Sequence, residues 1–355
     1  MAQHPVDLSH FARQPIRKQS LYSIGAPPDA DVKINQNEAP LDLPDELKQQ
    51  VFDRLMQTEW HKYPSIDAME LRTRLSELWG WPAEGIVIGN GSNHLLSVLY
   101  RTIIEPGDRV VMPTPCFSTY TIQLGQCGAV IDPVYVGRDG FDVESLVGKA
   151  RGAKLVMVAS PNNPTGTVLP LEVIDRLLET GAMVALDEAY AEYLDEDGLS
   201  RLHQDKPLVI FRTFSKAWGI GGARFGAMLG PTSFMDEVKK VILPFAVGAL
   251  TRAVAHVMLD HADARMALLD EVKAERERVR GVLSELGLNP WPSASNFIIF
   301  EPRDRTPGEL FAQLLERGVM IRNLSAVIPG GLRVSISNPT HNDRFISELR
   351  TVLEA

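Results

Sequence analysis

The chain has 355 residues, of which 45% are hydrophobic and 23% are charged, and its formal net charge is −9. This length exceeds what one hydrophobic core usually organises, so two domains are expected. The composition is that of a globular protein, and the negative charge argues against nucleic acid or an anionic membrane as a general partner. It still allows a local basic pocket for a small anion.

The two cysteines, Cys116 and Cys127, form neither a CxxC pair nor a metal-binding pattern. This favours a reduced, cytoplasmic protein without a metal. The first residues, MAQHPVDLSHFARQP, lack the apolar segment of a signal peptide, and no apolar run approaches the roughly 20 residues that span a membrane. We therefore expect neither secretion nor insertion into a membrane.

Along the first two thirds of the chain, short apolar runs alternate with helical segments. Residues 1–35 are irregular and contain scattered proline and glycine, which predicts an N-terminal arm. Helices are predicted over 43–58, 66–79 and 92–104, and strands over 86–88, 109–112, 154–159, 182–186, 208–211 and 226–229. Buried strands separated by helices are typical of an α/β protein with a mostly parallel sheet.

Beyond residue 245 the pattern changes. A long helix is predicted over 252–286, followed by strands over 296–301, 319–322 and 332–336 and helices over 307–317 and 342–353. This mixture predicts a smaller α+β domain. The sequence therefore divides into an N-terminal arm (1–35), a large domain (36–245) and a small domain (246–355).

Polar residues follow several predicted strands, at the carboxyl ends where parallel sheets bind ligands. The first group is GNGSN, residues 89–93, which opens a helix. Its glycines allow close approach of the backbone, and the free N–H groups at a helix start suit a phosphate. A plain glycine turn with Ser92 as the helix N-cap is the alternative interpretation.

Two further groups follow the next strands. SPNNPTG, residues 160–166, holds Asn163 between two prolines, although an ordinary turn would use the same residues. Asp187, in DEAY, ends an apolar strand, where a buried carboxylate needs a partner. A cation or a protonated ring nitrogen would supply that partner, and the alternative is that Asp187 caps the following turn.

The segment TFSKAWGIGGARFG, residues 213–226, places Lys216 just after a buried strand. A lysine in a cleft loses solvation and becomes easier to deprotonate, as an imine-forming lysine requires, whereas most lysines lie at the surface. Arg224 adds a second phosphate ligand. A lysine, a carboxylate, an amide and a phosphate cradle on successive strand ends match the needs of pyridoxal 5′-phosphate.

These motifs, together with PTPCFSTY (113–120) and LRVSIS (332–337), resemble those of fold-type I pyridoxal phosphate-dependent aminotransferases, in the same order along the chain. Within that superfamily the chain most resembles the histidinol-phosphate aminotransferases. The segments that carry this closer resemblance are NQNEAPLDLP (35–44), HKYP (61–64) and GVMIRNLS (318–325). The resemblance implies a large domain with a mostly parallel sheet flanked by helices and a smaller α+β C-terminal domain.

The resemblance also implies roles at the cofactor. Lys216 would form the internal aldimine and then move a proton between the substrate's α-carbon and the cofactor. Asp187 would pair with the ring nitrogen, Asn163 and Tyr190 would bind the ring hydroxyl, and Phe117 would stack on the ring. The residues implied to hold the phosphate are Ser92 and Asn93 through their backbone, Thr213 or Ser215, and Arg224.

Further implied roles concern the substrate and a second subunit. Tyr63 would reach the phosphate of the cofactor in a neighbouring subunit, which implies a homodimer with shared sites. Arg333 would bind a substrate carboxylate, or act with Arg322 on the phosphate of an amino alcohol phosphate. Tyr22 and Asn37 would line the substrate pocket.

The reaction implied is ping-pong amino transfer between L-histidinol phosphate and 2-oxoglutarate. It yields imidazole acetol phosphate and L-glutamate, a step of histidine biosynthesis. An aromatic amino acid aminotransferase and a threonine-phosphate decarboxylase of the same fold remain open alternatives, because the fate of the substrate depends on which Cα bond lies perpendicular to the ring. A non-catalytic regulator that binds the same cofactor is a further alternative, but it would require a DNA-binding domain that the sequence does not display.

Overall fold

The structure, a computed structural model, describes residues 8–19 and 30–354. Its first part alternates helices with strands, as the sequence predicts. In chain order the elements are α1 (Gln14–Arg17), β1 (Val32–Lys33), α2 (Asp45–Met56), α3 (Met69–Trp79), β2 (Ile86–Gly89), α4 (Ser92–Ile103), β3 (Arg109–Thr114), α5 (Ser118–Cys127), β4 (Val130–Gly137), β5 (Gly140–Phe141), α6 (Val143–Ala150), β6 (Leu155–Ala159), α7 (Leu171–Leu178), β7 (Met183–Asp187), β8 (Leu208–Thr213), β9 (Gly226–Leu229) and α8 (Thr232–Lys239).

The second part is a smaller arrangement of helices and short strands. Its elements are α9 (Ala249–Asp260), α10 (Ala262–Glu285), β10 (Phe297–Phe300), α11 (Pro307–Glu316), β11 (Val319–Met320), β12 (Arg322–Asn323), β13 (Leu332–Ser335) and α12 (Pro339–Glu354). β13 lies between β10 and β12 and is antiparallel to both, while β11 pairs in parallel with β1. This is the predicted α+β character.

The eight-stranded sheet of the first part has the order β2-β9-β8-β7-β6-β3-β4-β5. From β8 through to β4 the neighbouring strands run parallel, and β9 is antiparallel to both β2 and β8. The parallel strands therefore end at one edge of the sheet, and the segments that follow β3, β6, β7 and β8 meet there. This edge is where the sequence predicts a ligand.

The side chains of the central strands alternate between the two faces of the sheet, and this explains why helices cover both faces. In β6, Leu155 and Met157 pack in one hydrophobic cluster, while Val156 and Val158 pack in another on the opposite face. Successive side chains of a strand point to opposite faces, so a continuous apolar run requires helices on both sides. α4 and α5 supply residues to the first cluster, and α6 and α7 to the second.

The predicted helix over 252–286 is two helices in the structure. α9 ends at Asp260 and α10 begins at Ala262, and His261 between them has φ −119° and ψ 27°, outside the helical region. The His261 ring forms a hydrogen bond of 3.0 Å with Gln50 in α2. Neither glycine nor proline marks this break, so periodicity alone could not reveal it.

Two other predicted elements differ in detail. The strand predicted over 319–322 is divided at Ile321, because Val319 and Met320 pair with β1 whereas Arg322 and Asn323 pair with β13. The end of the predicted arm is also not peripheral, since Val32 and Ile34 are buried in the main hydrophobic cluster. Pairing with residues about 285 positions later cannot be read from the local sequence.

Gly226 in β9 lies where three backbone segments come together. A Cβ atom at this position would be 2.5 Å from the amide nitrogen of Ser92, 2.8 Å from the carbonyl carbon of Gly91 and 3.0 Å from the carbonyl oxygen of Arg212. Backbone atoms cannot rotate away as a side chain does. The start of α4 can therefore approach the end of β8 only because residue 226 has no side chain.

We expect Gly226→Ala to lower the free energy of unfolding by about 1–3 kcal/mol, the usual effect of overpacking a closely packed region. Chemical denaturation of the purified variant measures this change. Gly222→Ala is the matched control, because a Cβ there meets no heavy atom within 4 Å. Equal stability of the two variants would contradict the close approach.

Candidate active site

A cleft of about 520 Å³ lies at the carboxyl edge of the large sheet. Among the predicted site residues, Ser92, Asn93, Phe117, Asn163, Asp187, Tyr190, Thr213, Ser215, Lys216, Arg224, Asn37, Arg322 and Arg333 all line it. These residues come from segments up to 296 positions apart, between Asn37 and Arg333. The sheet topology brings together the residues that follow its strands, as the strand-end argument predicted, whereas Asn37, Arg322 and Arg333 reach the cleft from outside this sheet.

Lys216 follows β8 and is held inside the cleft. Its Nζ donates a hydrogen bond of 3.0 Å to the backbone carbonyl of Gln36 and lies 6.0 Å from the centre of the Tyr190 ring. Burial, and to a smaller extent the positive charge of Arg333, lower the pKa of Lys216 to about 8, while Glu38 acts in the opposite direction. A lysine with this pKa is partly neutral near pH 7 to 8 and can act as a nucleophile or a base.

Asp187 ends β7 and is 5% exposed. Tyr120 donates its hydroxyl hydrogen to Oδ2 at 2.5 Å, and the backbone N–H of Ala189 donates to Oδ1 at 3.0 Å. Burial raises the pKa of Asp187, and these two hydrogen bonds oppose the rise. The capping interpretation is confirmed, because one oxygen caps the turn, and the carboxylate also lines the cleft, where a cation would favour its charged form.

Tyr120 is a site residue that the sequence analysis did not identify. It lies three positions after Phe117, so the two side chains share one face at the start of α5, and their rings meet edge to face with centroids 5.5 Å apart. The i, i+3 spacing within PTPCFSTY was the available signal. Tyr120 fixes the orientation of the Asp187 carboxylate and keeps one of its oxygens hydrogen-bonded.

The predicted phosphate cradle is built around the start of α4. Gly91, with φ +78°, is the residue before the helix, and no side chain caps it, so the interpretation of Ser92 as an N-cap is wrong. A Cβ on Gly91 would be 2.7 Å from Nη2 of Arg224, which brings the guanidinium close to the open helix end. Free N–H groups and a guanidinium together form an anion-binding site.

Other polar groups complete this cradle. Nη1 of Arg224 donates to the carbonyl of Gly221 at 2.8 Å and to the hydroxyl of Ser215 at 3.4 Å, and Thr213 donates to Ser215 at 3.1 Å. The Asn93 side chain accepts a hydrogen bond of 3.0 Å from Gln123. That bond occupies the acceptor atom of the side chain, and the backbone N–H of Asn93 at the helix start remains to bind an anion.

Arg333 and Asn163 form a linked pair on one side of the cleft. Arg333 donates to the side-chain oxygen of Asn163 at 2.7 Å and to the backbone carbonyl of Asn35 at 3.0 Å. Its guanidinium carbon lies 5.2 Å from the centre of the Phe297 ring. Because the amide oxygen of Asn163 accepts from Arg333, its N–H₂ group remains to donate elsewhere.

Arg322 and Asn37 occupy different positions relative to the predicted substrate pocket. Arg322 lies directly opposite Arg333 in the register of β12 and β13, so two guanidinium groups face the cleft. Asn37 lines the cleft but is 1% exposed, and its side chain binds Tyr190 at 2.9 Å and Ser335 at 3.0 Å. Its hydrogen-bonding groups are therefore used within the protein.

One predicted tyrosine, Tyr63, lies apart from this cleft. Tyr63 is 82% exposed and stacks on Phe245, with ring centroids 4.8 Å apart, outside the cleft lining. Tyr22 lies outside the described residues. The rest of the predicted set fits pyridoxal phosphate: a nucleophilic lysine, a buried carboxylate that a cationic ring nitrogen would stabilise, and an anion cradle beside them.

Two general properties bear on the class of protein. Within residues 8–19 and 30–354, no helix combines enough length with enough apolar character to cross a lipid bilayer. In the same ranges, no group of three or more histidine, cysteine, aspartate or glutamate side chains is arranged to hold a metal ion. Cys116 and Cys127 are free cysteines, and burial raises the pKa of Cys116 to about 12, so its thiol is unreactive near neutral pH.

We expect Lys216 in the cofactor-free protein to react with an acylating reagent with a pH midpoint near 8, because burial lowers its pKa. Only the neutral amine reacts, so the rate rises with pH and levels off above that value. Lys48 is the internal control, since its hydrogen bond to Asp42 raises its pKa. Pulse labelling with mass spectrometry measures both, and a shared pH dependence would contradict the prediction.

Comparisons with known proteins agree with this site. Residues 30–349 match the family Aminotransferase class I and II. The chain is 36% identical to the histidinol-phosphate aminotransferase of Thermococcus gammatolerans, over 90% of this chain and 92% of that protein, and 32% identical to the one of Chlorobium phaeovibrioides, over 98% of each. Its fold is similar to that of the histidinol-phosphate aminotransferase of Sinorhizobium meliloti, solved with pyridoxal 5′-phosphate, with a TM-score of 0.83, 26% identity and 92% coverage of both chains.

The match covers far more than half of the chain, and the predicted α/β architecture is the one that these relatives share. The chain therefore belongs to the class I and II aminotransferases, which confirms the predicted fold type, the predicted enzyme class and pyridoxal 5′-phosphate as the cofactor.

Proposed function

We propose that this aminotransferase moves an amino group between L-histidinol phosphate and 2-oxoglutarate, in ping-pong order. The observation that carries the proposal is the pair of guanidinium groups of Arg322 and Arg333, which face the cleft from adjacent strands. A phosphate-bearing amine and a dicarboxylic 2-oxo acid both require cationic partners, and guanidinium binds either anion in a two-pronged geometry. The relatives named histidinol-phosphate aminotransferase support the same substrate.

Bound pyridoxal phosphate supplies an aldehyde that condenses with amines and a ring that accepts electrons from the substrate's α-carbon. Lys216 would hold the cofactor through its amine, and the same amine would move a proton at the substrate's α-carbon. Its low pKa makes it an effective base near neutral pH. Asp187 would keep the ring nitrogen protonated, and Tyr120 keeps the carboxylate of Asp187 in place.

Other residues position the cofactor. Asn163 and Tyr190 donate hydrogen bonds to its ring oxygen, and Phe117 packs on the ring. The groups that hold its phosphate are the backbone N–H groups of Ser92 and Asn93, the hydroxyls of Thr213 and Ser215, and Arg224. These roles are supported by the fact that all of these residues line one cleft around Lys216.

The proposal keeps the division into an arm (1–35), a large domain (36–245) and a small domain (246–355). In this division the large domain contributes Lys216, Asp187 and the phosphate cradle, and the small domain contributes Arg322 and Arg333. A substrate would thus lie between the two domains. Tyr22 stays a predicted pocket residue, and a cytoplasmic location, which the two free cysteines support, belongs to the same proposal.

A homodimer with shared active sites completes the proposal. Tyr63 stacks on Phe245, and the chain segments around this pair carry Trp60, Ile66, Leu243 and Leu250, which are between 57% and 74% exposed. Large apolar side chains exposed together in this way are typical of a protein interface. In the dimer, Tyr63 would donate its hydroxyl hydrogen to the cofactor phosphate of the other subunit, because it lies outside the cleft of its own chain.

The substrate is tested by a half-reaction in which the visible absorbance of the bound cofactor is followed after an amino donor is added. We expect rapid bleaching with L-histidinol phosphate and with L-glutamate, because both place an anion against the two arginines. Phenylalanine and threonine phosphate are the comparison donors. Rapid bleaching with phenylalanine but not with histidinol phosphate would instead indicate an aromatic aminotransferase, and release of carbon dioxide from threonine phosphate would indicate a decarboxylase.

An Arg322→Gln variant sharpens this test. We expect the rate at low histidinol phosphate concentration to fall about 10- to 100-fold, the effect of removing a charged hydrogen bond worth about 1.5–3 kcal/mol. Bleaching by phenylalanine, which has no phosphate, should change much less. An equal loss with both donors would show that Arg322 does not bind the phosphate.

Shared sites are tested by mixing two impaired variants. Lys216→Ala lacks the reactive amine, and Tyr63→Ala lacks the proposed phosphate contact. In a mixed dimer, one site would combine the Lys216 of one subunit with the Tyr63 of the other, so it would be intact, and we expect activity to return to up to half that of the wild type per mixed dimer. Size-exclusion chromatography first establishes the dimer.

The mixing test has an internal control. If Tyr63 acted within its own subunit, the subunit that carries Lys216 would still lack its tyrosine, and mixing would restore nothing. Mixing either variant with itself provides the baseline. No recovery from a verified mixed dimer would contradict the shared site.

A further inference from the structure

We propose that Ser335 and Asn37 are positioning residues that fix the direction of the Tyr190 hydroxyl, so that its hydrogen points into the cleft toward the cofactor. The inference rests on the proposed function, in which Tyr190 donates to the ring oxygen. It assigns a task to Ser335, which is outside the cleft lining, and to Asn37, whose side chain is hydrogen-bonded within the protein. The direction of each hydrogen bond depends on which atoms of these three side chains can donate.

Ser335 is the starting point of this chain of hydrogen bonds. Its Oγ accepts a hydrogen bond of 2.8 Å from the backbone N–H of Asn37. A hydroxyl also has one hydrogen to donate, and Ser335 donates it to Oδ1 of Asn37 at 3.0 Å. Ser335 is 3% exposed, so solvent water offers little alternative acceptor.

These two bonds decide the orientation of the Asn37 amide. With Oδ1 against Ser335, the N–H₂ group faces Tyr190, and Nδ2 lies 2.9 Å from the Tyr190 oxygen. The reversed amide would place N–H₂ against Ser335 and leave the buried serine hydrogen without this acceptor. Leaving a buried donor unsatisfied is unfavourable, so the observed orientation is preferred.

The orientation of Asn37 in turn decides the role of Tyr190. An amide N–H₂ group only donates, so the Tyr190 oxygen must accept this hydrogen bond. Its own hydrogen is then free to point elsewhere, and Tyr190 lines the cleft. Burial raises the pKa of Tyr190, so the phenol keeps its hydrogen near neutral pH.

The backbone around Asn37 holds this arrangement in place. Asn37 has φ 54°, in the left-handed region that asparagine tolerates better than most residues. Its carbonyl accepts from Nδ2 of Asn296 at 3.2 Å, and the carbonyl of the preceding Gln36 accepts from Lys216. One turn of the chain therefore orients both Tyr190 and Lys216.

The position of Ser335 also links this network to the substrate arginine. Arg333 and Ser335 are two positions apart in β13 and point to the same face of its sheet. Arg333 donates to Asn163, the second predicted partner of the ring oxygen. The same strand thus orients both groups proposed to bind that oxygen.

The test is a pH titration of the visible absorbance of the cofactor bound to the holoenzyme. A hydrogen bond donated to the ring oxygen stabilises the negative charge of that oxygen. Losing this bond therefore raises the pH midpoint of the absorbance change. We expect Ser335→Ala to raise the midpoint by about half a unit to one unit, and Tyr190→Phe by at least as much. Ser335→Thr keeps the hydroxyl and should stay near the wild-type value.

A double-mutant cycle separates positioning from a general structural effect. If Ser335 acts through Tyr190, Ser335→Ala should cause no further shift once Tyr190 is phenylalanine. Additive shifts, or a wild-type midpoint in Ser335→Ala, would overturn the inference. Ser337→Ala, a serine two positions along the chain whose hydroxyl contacts His341, is the matched control and should leave the midpoint unchanged.

Two further measurements keep the result interpretable. If Ser335→Ala does not fold, Asn37→Asp replaces it, because a carboxylate cannot donate and would accept the Tyr190 hydrogen instead. If Asn37→Asp acts through Tyr190, part of the midpoint shift that it causes disappears when Tyr190 is also replaced by phenylalanine. A shift of the same size with tyrosine and with phenylalanine at position 190 would overturn the inference. A wild-type midpoint in Tyr190→Phe itself would contradict the proposed role of Tyr190 in the function, a separate failure from that of Ser335.

Discussion

The active-site cleft is organised around a carboxylate that is almost fully buried. Asp187 is 5% exposed, and burial raises the pKa of its carboxyl group, while Tyr120 and the N–H of Ala189 stabilise the charged form. The positive charge of Lys216 acts in the same direction, and a protonated ring nitrogen would add a second positive charge beside the carboxylate. In the proposed function this pairing would let the cofactor ring accept electrons, so the surrounding structure must hold Asp187 firmly.

A second buried charge cluster lies directly behind Asp187. Its neighbour Glu188 forms an ion pair of 2.8 Å with Arg212, and Arg212 also contacts Asp197 at 2.6 Å. Burial raises the pKa of Glu188 to about 7, and the charge of Arg212 opposes this rise. These bonds connect β7 to β8, so the strand that carries Asp187 and the strand before Lys216 are joined by ionic contacts as well as by the backbone ladder.

The charge of the cleft differs from that of the whole protein. The chain has a net charge of −9, yet Lys216, Arg224, Arg322 and Arg333 all line one cleft. A positive cleft in a negative surface concentrates small anions at the site and disfavours large polyanions elsewhere. It also explains why Lys216 loses its proton easily, since burial and the nearby Arg333 both disfavour its charged form.

Much of this could be predicted from the sequence, because the signals are local. Apolar runs at strand spacing predicted the sheet, and the polar segments that follow several of these runs predicted Ser92, Asn163, Asp187, Lys216 and Arg224 at the cleft, while the resemblance to a family implied the other site residues. Tyr120, Ser335 and the break at His261 escaped prediction, since each depends on a partner distant in the chain: Asp187 lies 67 positions from Tyr120, Asn37 lies 298 from Ser335, and Gln50 lies 211 from His261.

The sequence by itself determined the chemical groups at the site and the order along the chain of the strands that present them. Residue type and periodicity are properties of short segments. Only the tertiary structure decided which atoms donate and which accept. The amide of Asn37, the carboxylate of Asp187 and the amine of Lys216 each take their direction or pKa from buried neighbours. Hydrogen-bond direction and desolvation arise from packing between distant segments, and no local pattern encodes them.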